Sequence, residues 1–141
     1  MAPKDPKLEL LHSVALFAGL GQRELERLGQ LTDEIDVPAG KVLMRQGEHG
    51  DEMFIVASGG ITVERDGRRI AERGPGMVVG EIALLSEGPR TATVTATEAS
   101  RLFVIGHREF HELMDEQPAI RLQILDELAR RIRALEIDAA H

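Results

Sequence analysis

The stretch VVGEIALLSEGPRTATVTA, residues Val78–Ala96, sets a glycine, a carboxylate and an arginine between two runs of β-prone residues. Val78 and Val79 end one strand. Gly80 permits a tight turn and a close approach to the backbone. Glu81–Leu85 is a short apolar run, long enough for one helical turn, whose free N–H groups and dipole favour an anion. Ser86, Glu87, Gly88 and Pro89 form a turn. Arg90 then opens the last strand pair, followed by small Thr91 and Ala92. One loop therefore gathers a carboxylate, free amides and a guanidinium. The carboxylate suits a sugar hydroxyl, and the amides with the arginine suit a desolvated phosphate. The spacing equally allows Glu81 and Arg90 to pair with each other and merely close the loop.

Working outward, the segment from about Ile35 to Ile105 is a series of short β-prone runs punctuated by glycine: IDV, KVLMRQG, EMFIVASG, ITVERDG, RRIAERG, MVVGE, TATVTATE and SRLFVIG. Alternation is clean in Ile61, Val63 and Arg65, and again in Thr91, Thr93 and Thr95. Asp66-Gly67 between two such runs is a hairpin signal. Many short strands at regular spacing imply a barrel, a sandwich or a jelly roll.

Helical patterns flank this region. Leu8, Leu11, Val14 and Ala15 keep helical spacing, Gly19 and Gly21 interrupt it, and a second helix starts near Gln22 with Leu25, Leu28 and Leu31 on one face. Beyond His107, Phe110, Leu113 and Met114 make a short amphipathic helix. Pro118 fits the first turn of the next. That last helix carries Leu125, Leu128, Ile132 and Leu135 at intervals of 3, 4 and 3. This spacing fits a seam against a partner helix, or packing against the chain's own β-core.

Composition narrows the function classes. With 141 residues, 43% hydrophobic and 29% charged, the chain is long enough for one buried core. It has no cysteine, which excludes disulfides and thiolate metal sites. A net charge of -7 disfavours nucleic acid as a partner. With no tryptophan or tyrosine and only four phenylalanines, a stacking platform for single strands is not expected. The N-terminal MAPKDPKLEL has no signal-like pattern, and no apolar run approaches the roughly 20 residues of a membrane span. The expected location is the cytoplasm, with no membrane partner. His107 and His111 stand at i and i+4, but two histidines make a poor metal site and read better as helix surface. A jelly-roll metal enzyme would need histidines on the strands, where only His49 occurs, at a corner. No serine–histidine pair has a nucleophile context, and Glu81 and Glu87 do not form a pair of catalytic acids.

The segment GEIALLSEGPRTATV resembles the phosphate-binding cassette of the cyclic nucleotide-binding domain family. GKVLMRQGEHGDEMFIVASGGITVERDG is similar to that family's earlier strands, and LFAGL to its entry helix. The resemblance covers roughly residues 14–135. It implies a mainly β fold, a jelly-roll-like antiparallel β-roll with N-terminal helices and C-terminal helices. The expected organisation is one domain over 1–141: helices in 6–34, the roll in 35–105 with its cassette at 80–94, and hinge and lid helices in 107–137.

The same resemblance implies a sensor that binds cAMP, or cGMP, without catalysis and without a cofactor or metal. It assigns Glu81 to the ribose 2′-hydroxyl and Arg90 to the exocyclic phosphate oxygens. The backbone N–H groups of Ile82, Ala83 and Ala92 add donors, and the Gly80 backbone lies against the ribose. The Thr91 hydroxyl reaches the phosphate or the 2-amino group of a syn guanine. Val63 and Ile70 are candidates for the wall behind the purine, or are ordinary β-core. Family members use the final helix as a lid, often with an aromatic ring. No aromatic follows Phe110 here, so the lid is aliphatic or uses an arginine on the purine. Arg131 is the choice, with Arg130 and Arg133 competing. Two other readings stand beside this one: a member that has lost the nucleotide and works as a protein-interaction or dimerisation module, and a regulatory fragment of a longer transcription factor or enzyme. Expected partners are a cyclic nucleotide and either a second copy, through the C-terminal helix, or an effector protein. This chain alone is not expected to read DNA.

Overall fold

In the computed structural model, Asp66 and Gly67 both take left-handed backbone angles, φ 55° and 79°. That is the geometry a two-residue hairpin needs to match the twist of its strands. The Gln46 side chain holds the turn: its Oε1 accepts the Asp66 N–H at 2.9 Å and its Nε2 donates to Asp66 Oδ1 at 2.8 Å. The structure describes residues 5–140. Residues 1–4 and 141, the ends of the span read from the sequence, lie outside the described residues.

The strands are β1 (Asp33–Val37), β2 (Val42–Met44), β3 (His49–Gly50), β4 (Glu52–Ser58) and β5 (Ile61–Arg65). They continue with β6 (Arg68–Arg73), β7 (Val78–Val79), β8 (Gly88–Pro89), β9 (Thr93–Ala96) and β10 (Ser100–Gly106). One sheet has the order β1-β10-β4-β7, another β2-β9-β5-β6, and β3 pairs with β8 alone. All the pairings are antiparallel. This is the antiparallel roll that the family resemblance implies, and one of the architectures that the spacing of the runs allows. β1 begins at Asp33, two residues before the reading from sequence. Gly88–Pro89, read as pure turn, forms a two-residue ladder with His49–Gly50. No periodicity extends over two residues, which is why the sequence does not reveal it.

Period-two alternation builds the core. Phe54 and Val56, Ile61 and Val63, Val94 and Ala96, and Leu102 and Val104 each send alternate side chains to one face, and all belong to a single buried cluster. Burying each larger aliphatic or aromatic side chain contributes about 1.5–3 kcal/mol. Met53, Ile55, Phe103 and Ile105, on the opposite face of β4 and β10, are buried as well, so these two strands read as unbroken apolar runs.

By contacts, residues 30–111 form one compact unit, and the described residues up to 29 form a second with those from 112 onward. The helices are α1 (Pro6–Ser13), α2 (Gln22–Gln30), α3 (His107–Glu116) and α4 (Pro118–Ala140), with a 3-10 turn at Ala15–Phe17. Asp5 caps α1, its Oδ1 accepting the Lys7 N–H at 2.9 Å. Pro118 is the first residue of α4, where its missing N–H costs nothing. Arg27 on α2 grips Glu116 at the end of α3 with two bonds, 2.9 and 2.7 Å. Leu11, Phe17, Leu28, Leu113 and Ile120 are fully buried. Leu122, Leu125, Ile132 and Leu135 on α4 are exposed. Among the described residues no helix is long and apolar enough to cross a membrane.

Candidate ligand-binding site

The loop between β7 and β9 borders a cavity of about 550 Å³ within residues 30–111. Gly80, Glu81, Ile82, Ala83, Arg90, Thr91 and Ala92 line it, and so do Val63 and Ile70 from the β5–β6 hairpin. Nine of the ten residues named from sequence are therefore brought together. The tenth, Arg131, lies on α4 in the other unit, its Nε reaching Glu127 Oε1 at 3.4 Å, and it is not among the lining residues.

Gly80 takes φ 77° and starts a 3-10 turn over Glu81–Leu84. A Cβ at this position would fall 2.8 Å from both the Glu52 carbonyl oxygen and Arg90 Nη1. The glycine is required by backbone angle and by space alike. The turn closes through Ala83 N–H donating to the Gly80 carbonyl at 3.0 Å. The Ala83 amide, counted from sequence as a free donor, is therefore engaged, and a phosphate there must share or displace that bond. Ile82 is 64% exposed on the cavity side while Leu84 is fully buried, so the turn is anchored at one face and open at the other.

Arg90 is fixed by backbone and side chain together. Its N–H donates to the Glu48 carbonyl at 2.7 Å, and its own carbonyl accepts the Gly47 N–H at 2.8 Å. Nη1 donates to the Glu52 carbonyl at 2.8 Å. The guanidinium lies over Gly50, where a Cβ would sit 1.8 Å from Nε. Partial burial lowers the Arg90 pKa, and the nearby carboxylates of Glu52 and Asp51 raise it. The group stays charged, as arginine does. Burial also raises the Glu52 pKa; repulsion from Asp51 adds to this and Arg90 opposes it. What holds Arg90 is thus the β3–β4 corner rather than the Glu81 pairing that the spacing allowed.

His107, read from sequence as helix surface, is a structural fastener. Its Nδ1 donates to the Ala83 carbonyl at 2.8 Å. Glu87 lies between two histidines, 3.4 Å from His49 Nε2 and 3.6 Å from His107 Nε2. The His107 and His111 rings lie 4.1 Å apart. No group of three or more ligating side chains suited to a metal occurs among the described residues.

The hairpin wall has its own logic. Val63 pairs with Ala71 and Glu64 with Arg69, a register shift that leaves Ile70 as an extra residue. The bulge turns both Ile70 and Ala71 toward the cavity. Arg65 and Arg73 line the same cavity, and Arg65 Nε donates to the Thr91 carbonyl at 3.0 Å. Sequence reasoning passed over Gly50, Glu52, Arg65 and Arg73, and left Glu87 in a turn and His107 on a helix surface. Gly50 and Glu52 lie some forty residues from Arg90, and only the chain reversal that forms β3–β8 brings them to it.

The family model described as cyclic nucleotide-binding domain matches residues 34–117. Over 112 residues the chain is 38% identical to a cyclic nucleotide-gated potassium channel of Mesorhizobium japonicum, covering 79% of this chain and 31% of that protein. The N-terminal domain of a transcriptional regulator from Streptomyces coelicolor superposes with a TM-score of 0.86 at 31% identity, over 94% of this chain and 95% of that one. The regulatory domain of Toxoplasma gondii PKA with cAMP gives 0.73 at 32% identity, over 79% and 46%. The chain spans 31% to 58% of the length of the first curated relatives it matches.

Proposed function

The chain belongs to the cyclic nucleotide-binding domain family, and from that premise we propose that it is a non-catalytic sensor whose ligand is a 3′,5′-cyclic purine nucleotide. The observation that carries the reading is the placement of Arg90. Its guanidinium is pinned over Gly50, and it shares a cavity with Glu81 and the exposed face of the 3-10 turn. A cyclic phosphate is a singly charged anion that must lose water to enter. A charged guanidinium with neighbouring amides replaces that water at low reorganisation cost.

In this reading Arg90 pairs with the exocyclic oxygens and Glu81 accepts from the ribose 2′-hydroxyl. The amides of Ile82, Ala83 and Ala92 face the phosphate, and Gly80 backs the ribose. Thr91 reaches the phosphate or a guanine 2-amino group, and Val63 and Ile70 back the base. The Toxoplasma gondii domain carries cAMP, which makes cAMP one of the two ligands to test, beside cGMP. Signalling follows from movement of α4, with Arg131 as its lid residue. A ligand biases that movement only by its difference in affinity between the two states.

Calorimetric titration of the wild type with cAMP and cGMP tests this directly. Arg90→Ala should weaken binding by about 2–5 kcal/mol, because a desolvated charge loses its partner. Heat-free titrations with both nucleotides and an unmoved melting temperature sink the sensor reading. Full binding by Arg90→Ala sinks only the assigned site.

A second reading is supported by Leu125, Ile132 and Leu135 of the seam, which are exposed with Leu122 beside them, while Leu128, the fourth seam residue read from sequence, is half-buried. They recur along one side of α4, and a second copy of the chain presenting the same stripe would cover them as a helix pair.

A further inference from the structure

We propose that Arg73 reads the nucleobase and favours a purine carrying a carbonyl at position 6 over one carrying an amino group. The inference rests on the nucleotide reading above and extends it to the half of the ligand that the phosphate loop does not touch.

Arg73 ends β6 and lines the cavity on the same wall as Ile70 and Ala71. Its Nε is fully buried and has no hydrogen-bond partner among the described residues. A buried N–H of a cation is costly to leave without an acceptor. The neighbouring carboxylate does not relieve it: Glu72 is engaged by Arg69 at 3.0 Å. The other guanidinium on this wall is already committed, since Arg65 Nε donates to the Thr91 carbonyl. Arg73 is thus a cation beside the apolar Val63, Ile70 and Ala71, with a donor that has no acceptor among the described residues.

The ligand that meets this demand presents acceptors side by side. Guanine and hypoxanthine offer O6 and N7 on one edge, which match a guanidinium in two parallel hydrogen bonds. Adenine offers N7 alone, and its 6-amino group sets a donor against a donor. Position 2 stays separate, because a 2-amino group would meet Thr91, in the arrangement where that hydroxyl does not serve the phosphate, and not Arg73. Cyclic IMP has the 6-carbonyl and lacks that amino group, so it isolates the contribution of Arg73.

The test is calorimetric titration of wild type, Arg73→Leu and Arg73→Lys with cGMP, cIMP and cAMP. The expected result is that the wild type binds cIMP about tenfold or more tighter than cAMP, the discrimination of one bidentate pair. Arg73→Leu should erase the difference, mainly by weakening cIMP and cGMP. Arg73→Lys keeps the charge without the fork and should recover only part of it. A cIMP-to-cAMP ratio that is the same in wild type and Arg73→Leu overturns the proposal, as does a wild-type preference for cAMP. Failure of all three nucleotides to bind a folded wild type is a different result. It removes the nucleotide reading, and the role of Arg73 falls with it.

Discussion

Gly50 and Arg90 occupy one space: a Cβ on Gly50 would stand 1.8 Å from Arg90 Nε and 2.3 Å from Cζ. The absence of a side chain on β3 is what lets the guanidinium lie flat against the backbone and still reach the Glu52 carbonyl at 2.8 Å. The arginine is positioned before any ligand arrives, which removes part of the ordering cost of binding.

Gly50→Ala should therefore act on Arg90 without touching its charge. Arg90 must swing away, and cyclic-nucleotide affinity should fall toward that of Arg90→Ala, a loss of about two decades. The pair of substitutions together should be no worse than Arg90→Ala alone, because both remove one interaction. Additive losses in a calorimetric double-mutant cycle would show that Gly50 acts elsewhere.

Glu52 gives a pH signature. Its folded pKa is raised, first by burial and then by Asp51. The folded state thus holds this proton more tightly than the unfolded state does. The associated stability is present below the ordinary carboxylate range and is lost as pH rises through the folded pKa. Glu52→Gln removes the buried charge, so it should melt higher than wild type at neutral pH, with the gap closing as pH falls into the carboxylate range. Thermal melts across pH read this, and a gap that widens on acidification contradicts it.

Much of this architecture is legible in the residues themselves. Asp66-Gly67 announces its hairpin because few residue pairs tolerate two left-handed conformations. Pro118 marks the start of α4 because it fits only there. The loop residues Glu81, Arg90 and Thr91 are local in sequence and so declare themselves as a group. What is not legible depends on chain reversals. Gly50 and Arg73 reach the cavity from distant strands, the Glu52 carbonyl reaches Arg90 from another, and nothing in their immediate neighbours signals it. His107 is the sharper case. Its helical spacing to His111 suggests a surface pair, while its function is set by a carbonyl 24 residues earlier.

His107 fastens the 3-10 turn at its inner side, through the Ala83 carbonyl, and meets Glu87 from the far end of the loop. His107→Ala should release both. The expected outcome is a lower affinity for cyclic nucleotide with Arg90 still in place, and faster amide exchange at Ala83 and Leu84. His107→Asn, which can still donate to the carbonyl, should recover part of each. Exchange rates unchanged in His107→Ala would show that the turn holds itself through the bond from Ala83 to Gly80.

The apolar stripe on α4 makes the last prediction. Leu122, Leu125, Ile132 and Leu135 are each more than half exposed, and they recur at helical spacing along one side of a 23-residue helix. Large aliphatic side chains repeated in this way lose contact with water most simply against the same stripe of a second copy. Sedimentation should show a concentration-dependent dimer. Leu125→Glu with Ile132→Glu should give a monomer, because two carboxylates would then face two more across the seam. That variant should keep its melting temperature at low protein concentration and its nucleotide affinity, since neither residue lines the cavity. A wild type that sediments as a monomer at every concentration, with and without cyclic nucleotide, removes the dimer and leaves the stripe to a different protein.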